Sequence, residues 1–132
     1  MLRGSCLCGR VKYEVNGKPL LMYHCHCGAC RAASGASYVT NVAFPVASLR
    51  ITSGAGFLGA YESSPGKKRY FCSSCGSPIY SHGQSTKEYV SVRSGTLLDD
   101  PGIRPSYHAY VAFKAPWVVI NDGLPQYLEA RA

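Results

Sequence analysis

The sequence predicts an all-β, mainly antiparallel domain, and three observations carry that prediction. Gly (14) and Tyr (10) are prominent among the 132 residues. No long Ala/Glu/Lys/Leu run offers a helix. Short stretches of alternating apolar residues recur between clusters of Gly, Pro, Asn and Ser, the pattern of many strands and turns. The length fits a single domain, residues 1–132, with a modest core.

Taken in order, Gly4-Ser5-Cys6-Leu7-Cys8-Gly9 runs into Val11–Val15, whose apolar residues alternate as in a strand. In extended chain Cys6 and Cys8 point to one side, so both thiolates can reach one metal. Asn16-Gly17 is a turn signal, and Leu20–Tyr23 reads as the next strand. This predicts a hairpin that brings Cys6 and Cys8 close to Cys25, Cys27 and Cys30. Arg31–Ser34 fits one helical turn stopped by Gly35, with its amides facing the thiolates. Strands follow at Ser37–Phe44, around Leu49–Ile51 and at Phe57–Glu62, with turns at Thr52–Gly56 and Ser63–Gly66. Lys67-Lys68-Arg69 leads through Tyr70-Phe71 into Cys72-Ser73-Ser74-Cys75-Gly76, a zinc-knuckle signature in which Gly76 permits the backbone conformation that aims amides at sulfur. Pro78–Ser81, Glu88–Arg93 and Tyr107–Phe113 read as further strands. Leu97–Pro101 is a loop or helical turn, and Pro116–Pro125 holds a short strand, a turn and the only Trp.

The cysteines carry the chemistry. All seven fall in three clusters, Cys6/Cys8, Cys25/Cys27/Cys30 and Cys72/Cys75, with no stray thiol. A closed tetrahedral zinc site takes four protein ligands, whereas a reactive one keeps three and leaves a position open. Four plus three therefore predicts two Zn²⁺ per chain, one structural and one with an open corner. The Cys-x-x-Cys at 72–75 is a poor redox dithiol, since Gly76-Ser77-Pro78 opens no helix. The 25–30 cluster has an alternative reading as a closed site completed by His24, His26 or a distant cysteine. His82 and His108 read as ordinary polar or partly buried side chains rather than ligands, and Trp117 and the tyrosines as core packing. Arg31 is the basic residue expected beside the open corner; its alternative role is to balance thiolate charge. Lys67-Lys68-Arg69 reads as a solvated strand end.

The formal charge is +7. Seven thiolates (−7) and two Zn²⁺ (+4) would bring it to +4, a mild excess suited to a small anionic substrate as readily as to nucleic acid. The longest apolar run is five residues, Ala109–Phe113, so no membrane span is expected. The N-terminus has no apolar signal core, and a reducing, cytoplasmic setting is the expectation, where clustered cysteines bind metal.

Gly4-Ser5-Cys6-x-Cys8-Gly9 with Val11-x-Tyr13, then Cys25-His26-Cys27-x-x-Cys30-Arg31, Ser34-Gly35, Phe71-Cys72-x-x-Cys75-Gly76 and the closing Pro116-Trp117…Asp122-Gly123-Leu124-Pro125 together resemble the glutathione-dependent formaldehyde-activating enzyme family, which includes centromere protein V. The resemblance runs from about Gly4 to Tyr127 and implies an Mss4-like, zinc-stapled β fold. It assigns Cys6, Cys8, Cys72 and Cys75 to the structural zinc, and Cys25, Cys27 and Cys30 to the catalytic one. The implied activity is a carbon–sulfur lyase acting reversibly on S-(hydroxymethyl)glutathione. A lyase for another thiol adduct and a non-catalytic zinc-stabilised binding module remain alternatives. Against the latter, no zinc-finger spacing or basic tail occurs, so no specific nucleic-acid partner is expected. No carboxylate lies close in sequence to the triad to act as a general base.

Overall fold

The computed structural model describes residues 1–131. Ten strands form two sheets: β1 (Leu2–Ser5), β2 (Lys12–Val15), β3 (Leu21–Cys25), β4 (Val39–Pro45), β5 (Leu49–Ser53), β6 (Leu58–Ser64), β7 (Lys67–Cys72), β8 (Pro78–Gly83), β9 (Tyr89–Arg93) and β10 (His108–Ala109). The small sheet has the order β1-β2-β5, and the large one β10-β3-β4-β9-β8-β7-β6. Every pairing is antiparallel except β10 with β3. The one α-helix, α1 (Gly28–Ser34), and five short 3₁₀ turns complete the described chain.

The alternation seen in the sequence places the core. Val11, Tyr13 and Val15 from around β2 pack with Val42 and Phe44 of β4, Ile79 of β8, and Val90 and Val92 of β9. Cys6 and Cys72 belong to the same buried cluster, so one cysteine site lies within the contact between the sheets. A smaller cluster of Cys25, Cys30 and Val39, with Tyr23, Cys27 and Tyr110 against it, surrounds the other.

Four expectations need correction. The hairpin across Asn16-Gly17 does not form: β2 pairs with β1 and β5, while β3 starts the large sheet beside β4. A type I′ hairpin turn needs positive φ at both central residues, and Gly17 is not among the residues with positive φ. Instead the Asn16 N–H donates to Ser48 O at 2.9 Å, and a Cβ on Gly17 would lie 2.4 Å from Ser48 Cβ. Gly17 thus lets the chain pass tightly over the β4–β5 connection as it changes sheets. The strand expected over Tyr107–Phe113 is reduced to His108–Ala109, because Tyr110 adopts a left-handed conformation (φ 57°) that opens a 3₁₀ turn. Pro116–Pro125 contains no strand. Trp117, expected in the core, is 68% exposed; its Nε1–H donates to Ser37 Oγ at 2.8 Å.

Candidate metal centres

The four-cysteine site joins both sheets. Cys6 and Cys8 lie between β1 and β2, Cys72 ends β7, and Cys75 sits in the turn to β8. That turn is built as the sequence predicts: Gly76 takes φ 81° and its N–H donates to Cys72 O at 2.7 Å, while Cys72 N–H donates to Ser77 O at 2.9 Å. The four sulfurs all lie within 4.8 Å of one another, with Cys6–Cys8 at 3.6 Å and Cys8–Cys72 at 3.8 Å. A tetrahedral zinc with bonds of about 2.3 Å sets its sulfurs about 3.8 Å apart, so these residues fit the ion. Val11 N–H donates to Cys6 Sγ at 3.3 Å, and the Ser77 hydroxyl lies 3.2 Å from Cys75 Sγ. That hydroxyl is the main reason the Cys75 thiol falls to about 5. Burial pushes Cys72 up to about 11.

The three-cysteine site is local. Cys25 ends β3, Cys27 caps α1, and Cys30 lies in its first turn. The Cys27 sulfur accepts the Cys30 N–H at 3.3 Å, and Gly35 (φ 69°) closes the helix, as the sequence predicts. These three sulfurs also lie within 4.8 Å of one another, and no residue of another cluster joins them, so their donor set fits a three-thiolate zinc site. Side-chain hydrogen bonds with Cys25 and Cys27, then the Arg69 guanidinium, push Cys30 far down. The contacts with Cys27 and Cys30 push Cys25 far up. All seven cysteines are free thiols.

The triad forms one wall of a cavity of about 360 Å³. Lys67, Arg69, Arg93 and Arg131 line it, and no carboxylate or histidine does among the described residues. Arg69 is buried; its Nε–H donates to Ser63 Oγ at 3.0 Å and its Nη1 lies 3.7 Å from Cys30 Sγ. The buried Arg93 is fixed by Nη1 bonds to Asn41 Oδ1 (2.7 Å), Ser81 Oγ (3.3 Å) and Ser91 O (3.2 Å). The stacked rings of Tyr23 and Tyr107 form part of the lining, with Tyr110 beside the thiols.

Sequence reasoning placed the basic residue elsewhere. Arg31 does not line this cavity; its Nη1–H donates to Phe113 O at 3.2 Å and its guanidinium covers the Trp117 ring. The cations that do line it include two from the run expected to be a solvated strand end. Strand alternation could have found them: Lys67 and Arg69 share the face of β7 toward the cavity, and Lys68 takes the other. His26 is fully buried and bound to His108, Nε2 to Nδ1 at 2.8 Å, apart from the three-sulfur group. Burial pushes His26 down to about 4. His82 is a polar strand residue bonded to Lys87 O.

Residues 1–113, which include all seven cysteines, match the family model described as glutathione-dependent formaldehyde-activating enzyme. The chain belongs to that family. The glutathione-dependent formaldehyde-activating match ends before Trp117 and Asp122, so the closing segment of the sequence resemblance lies outside it. The crystal structure of a Rhodobacter sphaeroides protein superposes with a TM-score of 0.65 at 23% identity, covering 95% of this chain and 98% of that one. At that identity the likeness bears on the fold, which the two share. No curated protein matches the chain.

Proposed function

We propose that this formaldehyde-activating family member is a zinc-dependent carbon–sulfur lyase that forms and cleaves S-(hydroxymethyl)glutathione. Cys25, Cys27 and Cys30 hold the catalytic Zn²⁺, and Cys6, Cys8, Cys72 and Cys75 the structural one. The observation that carries this reading is the meeting of three thiols with four cations in one cavity that, among the described residues, has no lining Asp or Glu. Glutathione brings two carboxylates and a thiol, which is the complementary set.

Bound zinc supplies a Lewis-acidic position at which a thiol sulfur can coordinate and lose its proton. The remaining work falls to the chain. Lys67 and Arg131 meet substrate carboxylates toward the cavity's outer residues, while Arg93, held by three acceptors, offers a charge that needs no reorientation. Arg69 offsets the negative charge at Cys30 and keeps that sulfur oriented. Tyr110 packs against the thiols and lines the cavity, so its phenol O–H can donate to the oxygen that develops charge. In the forward direction glutathione's sulfur bonds to the formaldehyde carbon, the C=O π pair moves to oxygen, and the proton lost from sulfur is regained there. The reaction is redox-neutral and needs no co-reactant. Holding sulfur and carbon together supplies a proximity effect.

The chain is proposed to work in the cytoplasm. Among the described residues no helix is long and apolar enough to cross a membrane. Exchange NMR on glutathione, formaldehyde and their adduct tests the reading. Zinc-loaded wild-type protein should speed the exchange above the spontaneous rate, and Cys30→Ser should not. A wild-type rate equal to the spontaneous one removes glutathione as the substrate.

A further inference from the structure

A third group of ligating side chains lies on the face of β3 opposite the triad. Alternation along β3 turns Cys25 toward the cavity and His24 the other way. The parallel pairing of β10 with β3 sets His108 in register with His24, and their ring centroids are 4.7 Å apart. Asp122 reaches the same place from the closing segment, with Oδ2 at 2.7 Å from His108 Nε2. One ligand atom from each of His24, His108 and Asp122 falls within 4.8 Å of the others. This group shares no residue with either cysteine site.

We propose that His24, His108 and Asp122 form a third metal site, taking a divalent d-block cation of the Zn²⁺/Co²⁺ class. Two imidazoles and one carboxylate are borderline donors that suit such ions better than Ca²⁺, Mg²⁺ or Cu(I). Three protein ligands leave a position for water.

The surroundings of the two histidines argue for the site independently. Metal-bound imidazoles are oriented by a partner on their other nitrogen, and both of these have one. His24 Nδ1 lies 2.7 Å from Thr40 Oγ1, which leaves Nε2 as its ligand atom. His108 Nδ1 lies 2.8 Å from His26 Nε2. His26 is itself fully buried, and its Nδ1 has no hydrogen-bond partner. Among the described residues the one polar contact of its ring is with His108, so the buried imidazole is placed to orient that ring. When His108 Nε2 gives its lone pair to the metal, its proton sits on Nδ1 and is donated to His26 Nε2. His26 then carries its own proton on Nδ1, so the proton count of the pair is unchanged. Donor atoms on a tetrahedral zinc with bonds of about 2.0–2.1 Å lie about 3.3 Å apart. The 2.7 Å contact must therefore open slightly and the His24 side close in. Asp122 is exposed and on irregular chain, so it can make that adjustment.

Cobalt binding to the full chain tests this. Thiolate-bound Co²⁺ shows sulfur-to-metal charge transfer, whereas an imidazole–carboxylate site shows only ligand-field bands. Wild-type protein should therefore bind a further equivalent of Co²⁺ that adds visible absorption without charge transfer. Because replacing the buried His108 puts the fold at risk, Asp122→Asn carries the main test. It should weaken that equivalent at least about tenfold and leave the charge-transfer bands unchanged. Thr40→Val should weaken it about tenfold by freeing the His24 ring. The proposal is overturned if wild-type protein binds no Co²⁺ beyond the charge-transfer sites, or if Asp122→Asn binds it as wild type does. Since charge transfer reads the cysteine clusters separately, their failure and the failure of this site are distinguishable.

Discussion

Cys6 and Cys8 meet partners 64 to 69 residues later in the chain, whereas Cys25, Cys27 and Cys30 lie within six residues of one another. The first group reaches the main core through Cys6 and Cys72 and links two sheets. The second is a strand end and a helix turn beside a charged cavity. A long-range cluster is assembled only by the fold and in return holds it together. A local cluster needs little of the fold and contributes little to its topology. The difference teaches that the number of sulfurs matters less to stability than the length of chain between them.

Breaking that contrast starts with the cysteines. Cys72→Ser should abolish soluble folding, because a structural zinc is worth about 10–16 kcal/mol against about 5–15 kcal/mol for a whole domain. Cys27→Ser should remain folded by circular dichroism and lose only the triad metal. Equal solubility of the two variants would erase the distinction. Next in size, Arg69→Gln should leave zinc content at the four-cysteine site intact. It should lower kcat/KM for adduct formation about ten- to a hundredfold, the loss of one charge-assisted contact of about 1.5–3 kcal/mol. An unchanged kcat/KM would mean that Cys30 needs no cationic neighbour.

A pH series sharpens the contrast from the core side. Tyr13 is buried in the small sheet against Gly4, and burial raises it to about 12, partly offset by its bond to Thr96. Its folded value lies above the unfolded one of about 10. The neutral form is therefore favoured by folding, and its contribution is fully present below pH 10 and lost as pH rises toward 12. Chemical denaturation between pH 9 and about 12 should show this loss, and Tyr13→Phe should reduce its slope, with the remainder carried by Tyr80 and Tyr107, which burial also raises to about 12; an unchanged slope would place the alkaline transition elsewhere. The smallest effect is expected at Arg104–Asp100, an exposed pair at 2.8 Å. Asp100→Asn should leave the denaturant midpoint nearly unchanged, since it touches neither cluster.

The parts of this molecule legible in the sequence are those whose signal is local. Alternation located β2, β4 and β9, and Cys-x-x-Cys-Gly specified the turn at 72–76 together with its left-handed glycine. Gly35 as the stop of α1 was legible for the same reason. What escaped depends on partners far along the chain. Leu2–Ser5 carries little β-branched character, and Gly4 belongs in a strand because the Tyr13 ring takes the space a side chain would fill: a Cβ would lie 1.9 Å from Tyr13 Cζ. Arg31 is next to the triad in sequence, yet the 3₁₀ turn at Val111–Phe113 draws its guanidinium outward. Arg69 and Arg93 reach the triad only through sheet order, which no short window contains. Trp117 follows the average behaviour of its residue type poorly because its segment runs over the surface beside Arg31.

The 64-residue span between Cys8 and Cys72 also has a consequence in time. A ribosome adding about 5–20 residues per second exposes the first two thiols roughly 3–13 s before their partners exist. During that interval the nascent chain presents a Cys-x-Cys pair and then the complete 25–30 triad, so the triad is the first site able to capture a metal. A metal ion captured there would leave fewer free thiols to cross-link or oxidise while Cys6 and Cys8 wait.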